Sequence, residues 1–165
     1  MRARGPAALL IAWALHDVEE AVMFPSTCER LAERTGLPWP RMDGRQSWVA
    51  VGLMGTLVAF ACRRRHRTGG RSRLYRAVTA GLEGHVATHL LASAAQRSYT
   101  AGVATAFPVM LPGALVARHE LRRAGIPLRT RDSLLGAAIL IPAALACHAL
   151  ARLTPVRGAA PAGRG

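Results

Sequence analysis

The sequence predicts an all-α protein, a polytopic transmembrane helix bundle of four to five helices. Three observations support this class. Hydrophobic residues make up 51% of the 165 residues and are gathered in long runs of Ala, Leu, Val and Ile. These runs do not alternate with polar residues as β-strands do. Clusters of arginine separate the runs, as expected for the flanks of membrane spans. The length fits a single domain, which we place at residues 1–153, with a disordered Pro/Gly/Ala-rich tail at 154–165.

Five apolar segments follow one another along the chain: Pro6–Phe24, Ser47–Cys62, Leu74–Ala95, about Ala101–Ala117, and Ser133–Ala151. A span needs about 20 residues, so the second and fourth segments are short. A four-helix arrangement, with one of these two re-entrant, therefore stays open. Pro108 and Pro112 are expected to kink the fourth segment and open a cavity there.

The region after the first segment predicts a short separate helix. Ser26-Thr27-Cys28-Glu29 offers a capped start for residues 29–35, and Gly36 followed by Pro38 offers a stop. The extreme N-terminus has the basic residues of a signal peptide, but the apolar helix continues through the small residues of the candidate cleavage site. We therefore expect a retained first span.

The basic charge of the chain fits membrane flanks better than a nucleic-acid partner. The net charge is +13, all basic residues are Arg, and no aromatic residues are interleaved with them for base stacking. With five spans and a cytoplasmic N-terminus, fourteen arginines lie on the cytoplasmic side and eight on the other. We expect a multi-pass cell-membrane protein with the lipid bilayer as its partner. Cys28, Cys62 and Cys147 are too widely spaced for a zinc ribbon or a disulfide framework.

Ionisable residues in the first apolar segment are the strongest functional signal. His16-Asp17-Val18-Glu19-Glu20 lies where a charged side chain costs at least a few kcal/mol, so such residues usually face the protein interior. Residues three and four apart share a helix face, which makes His16 and Glu20 neighbours, with Glu19 on the shoulder of the same stripe. Asp17 is expected to point elsewhere.

The third segment repeats this spacing with His85 and His89. Counted from the cytoplasmic ends at about 1.5 Å per residue, both pairs lie roughly 15–22 Å along their helices, and His148 in the fifth segment reaches the same level. Glu83 lies on another face and is a candidate supporting residue only. The sequence thus predicts one polar layer shared by several helices.

Imidazole and carboxylate groups together suit a divalent zinc, iron or manganese ion. The predicted ligands are His16, Glu20, His85 and His89. Glu19, Glu20, Arg97 and Tyr99 are the candidate catalytic residues, Arg97 as a partner of a glutamate or a substrate anion and Tyr99 as a cap on the cavity mouth. Each residue alone also fits a hydrogen-bonded core or interfacial role.

These residues, in this order, resemble the HXXEE domain family of small bacterial membrane proteins. The resemblance rests on His16/Glu19/Glu20, on His89 with His85, and on Arg97/Tyr99/Gly102, and it covers about residues 7–117. In the family, the turn that contains the Arg, Tyr and Gly residues more usually has Pro at the position of Ala101. The resemblance implies an integral membrane protein with several helices and no established activity.

Three functional hypotheses follow from the sequence. The first is a metal-dependent membrane enzyme that acts on a lipid-like or apolar substrate. The second is a small transporter or proton-coupled permease that uses the same His and Glu residues as a relay. The third is a structural membrane protein without chemistry.

Overall fold

The structure, a computed structural model, describes residues 4–154, and all regular secondary structure in that range is helical. The elements are α1 (Gly5–Thr35), α2 (Gly44–Thr68), α3 (Arg73–Gln96), α4 (Val103–Thr105), a π-helical segment (Ala106–Met110), α5 (Leu111–Arg123) and α6 (Thr130–Ala151). Since α4, the π-helical segment and α5 follow without a break, the described chain forms five helical rods. The all-α class is confirmed. Residues 155–165 of the predicted tail lie outside the described residues.

Helix α1 is longer than predicted and has no break at Ser26. Pro25 lies inside the helix, where it has no N–H to donate. The hydroxyl groups of Ser26 and Thr27 do not cap a new helix. They donate back to the carbonyl oxygen of Met23 at 2.9 and 3.1 Å. The predicted separate helix is therefore wrong, whereas the predicted stop at Gly36, with a φ of 68°, is confirmed.

The remaining helices begin and end at identifiable signals. Asp43 caps α2 by accepting from the Gln46 N–H at 2.7 Å, and Gln46 accepts from the Asp43 N–H in return. In the fourth rod, Pro108 lies in the π-helical segment and Pro112 in the first turn of α5. The expected irregularity at these prolines is thus a π-helical turn.

The rods run alternately up and down. Helix α1 packs on α2 and α5, and α3 packs on α6. At the lower end, Glu120 of α5 accepts from the Gly5 N–H at 2.5 Å and from Arg65 at 3.1 Å. At the upper end, Arg152 donates to the carbonyl oxygen of Trp39 and Arg34 to that of Gln96.

Part of the outer surface of the bundle is apolar. Ile11, Leu15, Val18 and Val22 lie on one outer face of α1 and are each about half exposed, while the buried face of the same helix contains His16 and Asp17. By length and composition, α2 and α6 could each cross a membrane. The larger predicted number of spans stays a prediction.

Candidate metal centre

Four ionisable side chains from two helices meet near the middle of the bundle. His16 and Glu20 come from α1, and His85 and His89 come from α3. One ligand atom from each lies within 4.8 Å of all the others. His16 is fully buried and His89 is almost so, whereas Glu20 and His85 are partly exposed. The predicted meeting of the two pairs is therefore confirmed.

The four side chains converge on the Nε2 atom of His89. This nitrogen lies 2.8 Å from Nε2 of His85, 3.2 Å from Nε2 of His16 and 3.5 Å from Oε1 of Glu20. Ligand nitrogens of a tetrahedral zinc ion lie about 3.3 Å apart, because each is about 2.0–2.1 Å from the metal. The group therefore has nearly the dimensions of a metal-ligand set.

Hydrogen bonds on the far side of the His16 ring determine its tautomer. Thr105 Oγ1 donates to a carboxylate oxygen of Glu19, and the same hydroxyl oxygen lies 2.9 Å from Nδ1 of His16. Since the threonine hydrogen is already donated to Glu19, Nδ1 of His16 must be the donor in the second bond. Nε2 of His16 then carries a lone pair that points into the group.

The same reasoning applies to His85. Thr88 Oγ1 donates to the backbone carbonyl oxygen of His85 at 2.7 Å, so it accepts from Nδ1 of that ring at 3.2 Å. Nε2 of His89 faces the other ligands, whereas Nδ1 of the same ring lies toward the loop at Gly102.

Nε2 of His16 and Nε2 of His85 therefore each present a lone pair toward Nε2 of His89, beside the carboxyl group of Glu20. Metal-bound histidines characteristically donate their other ring N–H to an oxygen, as His16 and His85 do. The chemistry of the group thus suits a divalent metal ion, and the identity of the metal is open.

The connection from α3 to α4 covers this group. Gly102 has a φ of 84°, and a Cβ atom there would lie 2.6 Å from Cε1 of His89 and 2.9 Å from Cε1 of His16. Only glycine fits without displacing the two rings. Thr27 accepts from the Ala101 N–H at 3.1 Å, and Arg30 donates to the Tyr99 carbonyl at 3.1 Å. A proline at position 101 could not make the first of these bonds.

A cavity of about 680 Å³ adjoins the group between α1, α2, α3 and α6. Glu20 and His85 lie on its wall, so the candidate metal centre is accessible from it. Asp17 lies on the same wall and is only 5% exposed, so the expectation that it points elsewhere is wrong. Pro108 and Pro112 do not line the cavity, which corrects the predicted position of the cavity.

A family model described as a protein of unknown function with an HXXEE motif matches residues 7–117. The chain belongs to the HXXEE family. In the motif of this HXXEE protein, His16 and the second glutamate, Glu20, belong to the group of four that could hold a metal ion. The first, Glu19, faces the loop instead. Neither the curated proteins nor the solved structures contain a match to this chain.

Glu19 of the HXXEE motif is surrounded by hydrogen-bond donors. The backbone N–H groups of Ala104 and Thr105 donate to it at 3.2 and 2.8 Å. The hydroxyl groups of Thr105 and Tyr99 donate as well. Glu19 thus joins α1 to the loop and to the His16 ring. Partial burial and the hydrogen bond to Glu19 raise the pKa of Tyr99 to about 12, so Tyr99 keeps its proton at neutral pH.

The other predicted residues of the HXXEE protein lie away from the metal centre. Arg97 ends α3 in a left-handed conformation with a φ of 48°, and its side chain is exposed. Among the described residues, Arg97 makes no ion pair with Glu19 or Glu20. His148 stacks on Phe24 with ring centroids 4.7 Å apart and lines the cavity, outside the group of four.

Sequence reasoning missed the two threonines that orient the histidines. Thr88 lies three residues after His85 on the same helix, so its spacing could have revealed it. Thr105 lies 89 positions from His16, and no local pattern connects them. Glu83, expected only as a supporting residue, pairs with Arg118 at 2.5 Å and lines the cavity.

Proposed function

We propose that this HXXEE protein is a multi-pass membrane enzyme that depends on a divalent metal ion and acts on an apolar or lipid-like substrate. The observation that carries the proposal is the convergence of three imidazole nitrogens and one carboxyl group at the wall of a cavity. His16 and His85 each donate the other ring N–H to a threonine hydroxyl oxygen, as metal ligands do.

In this proposal, His16, His85, His89 and Glu20 bind the ion. A divalent ion in such a site would supply Lewis acidity and a bound water of lowered pKa. Glu19 and Tyr99 act as positioning residues rather than as acid and base, because the hydrogen bonds of Glu19 are directed at the loop and, through Thr105, at His16. Asp17 and Glu83 are the further carboxyl groups on the cavity wall that a substrate could contact.

The membrane part of the proposal rests on the outer surface of the bundle. Two helices are apolar and long enough to span a bilayer. Helix α1 adds an outward apolar face and an inward polar one, the distribution that suits a lipid environment. The arginine-rich lower connections favour a cytoplasmic N-terminus.

Metal content tests the proposal. We expect purified protein, reloaded with zinc and dialysed, to retain close to one equivalent, and His89→Ala to retain almost none. His119→Ala is the matched control, since it removes one exposed histidine elsewhere. Equal zinc in both variants and the native chain would refute the metal centre. Absence of metal, combined with pH-dependent uptake in proteoliposomes, would favour a permease instead.

A further inference from the structure

We infer that the cavity binds one hydrocarbon chain of an uncharged, single-chain amphiphile, with the polar head at the metal centre. This inference names the substrate class for the proposed function and rests on it. It draws on the shape of the cavity, the charges on its wall and its opening toward the outer surface.

The cavity is elongated along α6. Its α6 wall runs from Ser133 to His148, which is about 22 Å at 1.5 Å per residue. A slot of this length, with a volume of about 680 Å³, accommodates an extended hydrocarbon chain.

Small and aliphatic side chains form most of the slot. Ala80, Gly81 and Gly84 of α3 and Ala137 and Ala144 of α6 all line it. These small residues create the space. The polar side chains of Asp17, Glu20, His85 and Thr88 are grouped near the metal centre, which therefore provides the position for a polar head.

The slot is open to the outer surface along α6. Ile141 and Leu145 both line it and are 61% and 67% exposed. Because these side chains belong to one of the two helices that could span a bilayer, the opening faces the position of the lipid chains. An amphiphile could therefore enter sideways without passing through water.

The charges on the wall favour an uncharged head. Asp17, Glu20 and Glu83 provide three carboxylates, and Arg118 is the one guanidinium among the lining residues. Arg118 is already paired with Glu83 at 2.5 Å. No guanidinium among the lining residues is therefore left to pair with an anionic head, and the carboxyl groups of Asp17 and Glu20 do not attract one. A long-chain alcohol, ester or amide fits this wall better than a fatty acid.

Gly84 offers a way to fill the slot without disturbing the ligands. A Cβ atom at Gly84 meets no atom within 4 Å, and the residue lies on the cavity wall beside His85. A leucine there would occupy the space for the chain. Gly52 is the matched control, since its Cβ position is equally open but lies away from the cavity.

The test measures binding of tritiated hexadecan-1-ol to the zinc-loaded full-length protein in detergent, with hexadecanoate and octan-1-ol as competitors. We expect saturable binding of one equivalent, weakened about tenfold or more in Gly84→Leu and unchanged in Gly52→Leu. Ala137→Leu, which fills the cavity from α6, should weaken binding similarly if Gly84→Leu fails to fold. Hexadecanoate and octan-1-ol should both compete poorly.

The outcomes separate this inference from the proposed metal centre. The inference is overturned, even if zinc is bound, when the protein binds hexadecanoate more tightly than hexadecan-1-ol. It is also overturned when Gly84→Leu and Gly52→Leu bind hexadecan-1-ol equally well. If His89→Ala loses zinc but binds hexadecan-1-ol as tightly as the zinc-loaded native protein, the polar head does not lie at the metal centre. Failure of the native protein to bind zinc refutes the proposed function, whatever the alcohol does.

Discussion

Thr105→Val tests whether the Glu19–Thr105–His16 chain of hydrogen bonds prepares the metal centre. Valine has nearly the same shape as threonine but neither donates nor accepts a hydrogen bond. The change removes the 2.9 Å bond to Nδ1 of His16 and one of the four bonds to Glu19. Nδ1 of His16 then has no acceptor, and its ring can adopt the tautomer whose Nε2 carries the hydrogen.

The expected loss of metal affinity is about 10–100-fold, the usual cost of removing a group that orients a metal ligand. This corresponds to about 1.4–2.8 kcal/mol in binding free energy. The unfolding free energy of the metal-free protein should fall by about 1–3 kcal/mol, because Thr105 bonds to both a ring and a carboxylate.

A chelator competition for zinc, at a temperature where every variant is folded, measures the affinity. Thr105→Ser keeps the hydroxyl group and should restore most of the affinity, which a purely structural role would not predict. Thr56→Val is the matched control, since Thr56 Oγ1 bonds only to the carbonyl of its own helix at Leu53. Native affinity in Thr105→Val would refute the proposed chain.

Three further changes test the packing around the site by thermal or denaturant unfolding in detergent. Gly102→Ala should lower both zinc affinity and stability, because its Cβ atom would meet two imidazole rings. In Gly36→Ala the Cβ atom lies in open space, so only the strain of a left-handed backbone, about 1–2 kcal/mol, should be lost from the unfolding free energy. Gly136→Ala should destabilise the contact between α3 and α6, since its Cβ would lie 2.4 Å from a backbone oxygen; native stability would contradict that contact. Asp132→Asn should lower the unfolding free energy by about 3–5 kcal/mol, because the guanidinium of Arg76 loses its ion-pair partner. Glu29→Gln removes an exposed ion pair with Arg41 and should lower the unfolding free energy by less than about 1 kcal/mol.

The helices and the meeting of the metal ligands could be predicted because both depend on periodicity. His16 and Glu20, like His85 and His89, are one helical turn apart, and a turn of helix fixes their common face. Their depth follows from the rise per residue once the helix starts are known. The structure brings these four together as expected.

Asp17 shows where this reasoning fails. Successive residues of a helix lie 100° apart around its axis, so a buried polar face centred on His16 was not expected to include Asp17. Helix α1, however, packs on both α2 and α5, and its buried face is broad enough to include Asp17. Sequence alone does not show how many neighbours a helix has.

The break expected at Ser26 failed for a related reason. Ser and Thr after a proline can cap a new helix or bond back to the preceding turn. The tertiary contacts of the continuing helix, such as the bond from Arg30 to the Tyr99 carbonyl, are long-range and have no local signature. Thr105 escaped notice for the same reason.

The coordination of bound zinc tests the central claim most directly. X-ray absorption of the zinc-loaded native protein should show three imidazole nitrogens and a carboxylate oxygen at about 2.0–2.1 Å, and one imidazole fewer in His85→Ala if zinc remains. A zinc shell made only of oxygens, or one unchanged in the His85, His89 and His16 alanine variants, would contradict the account.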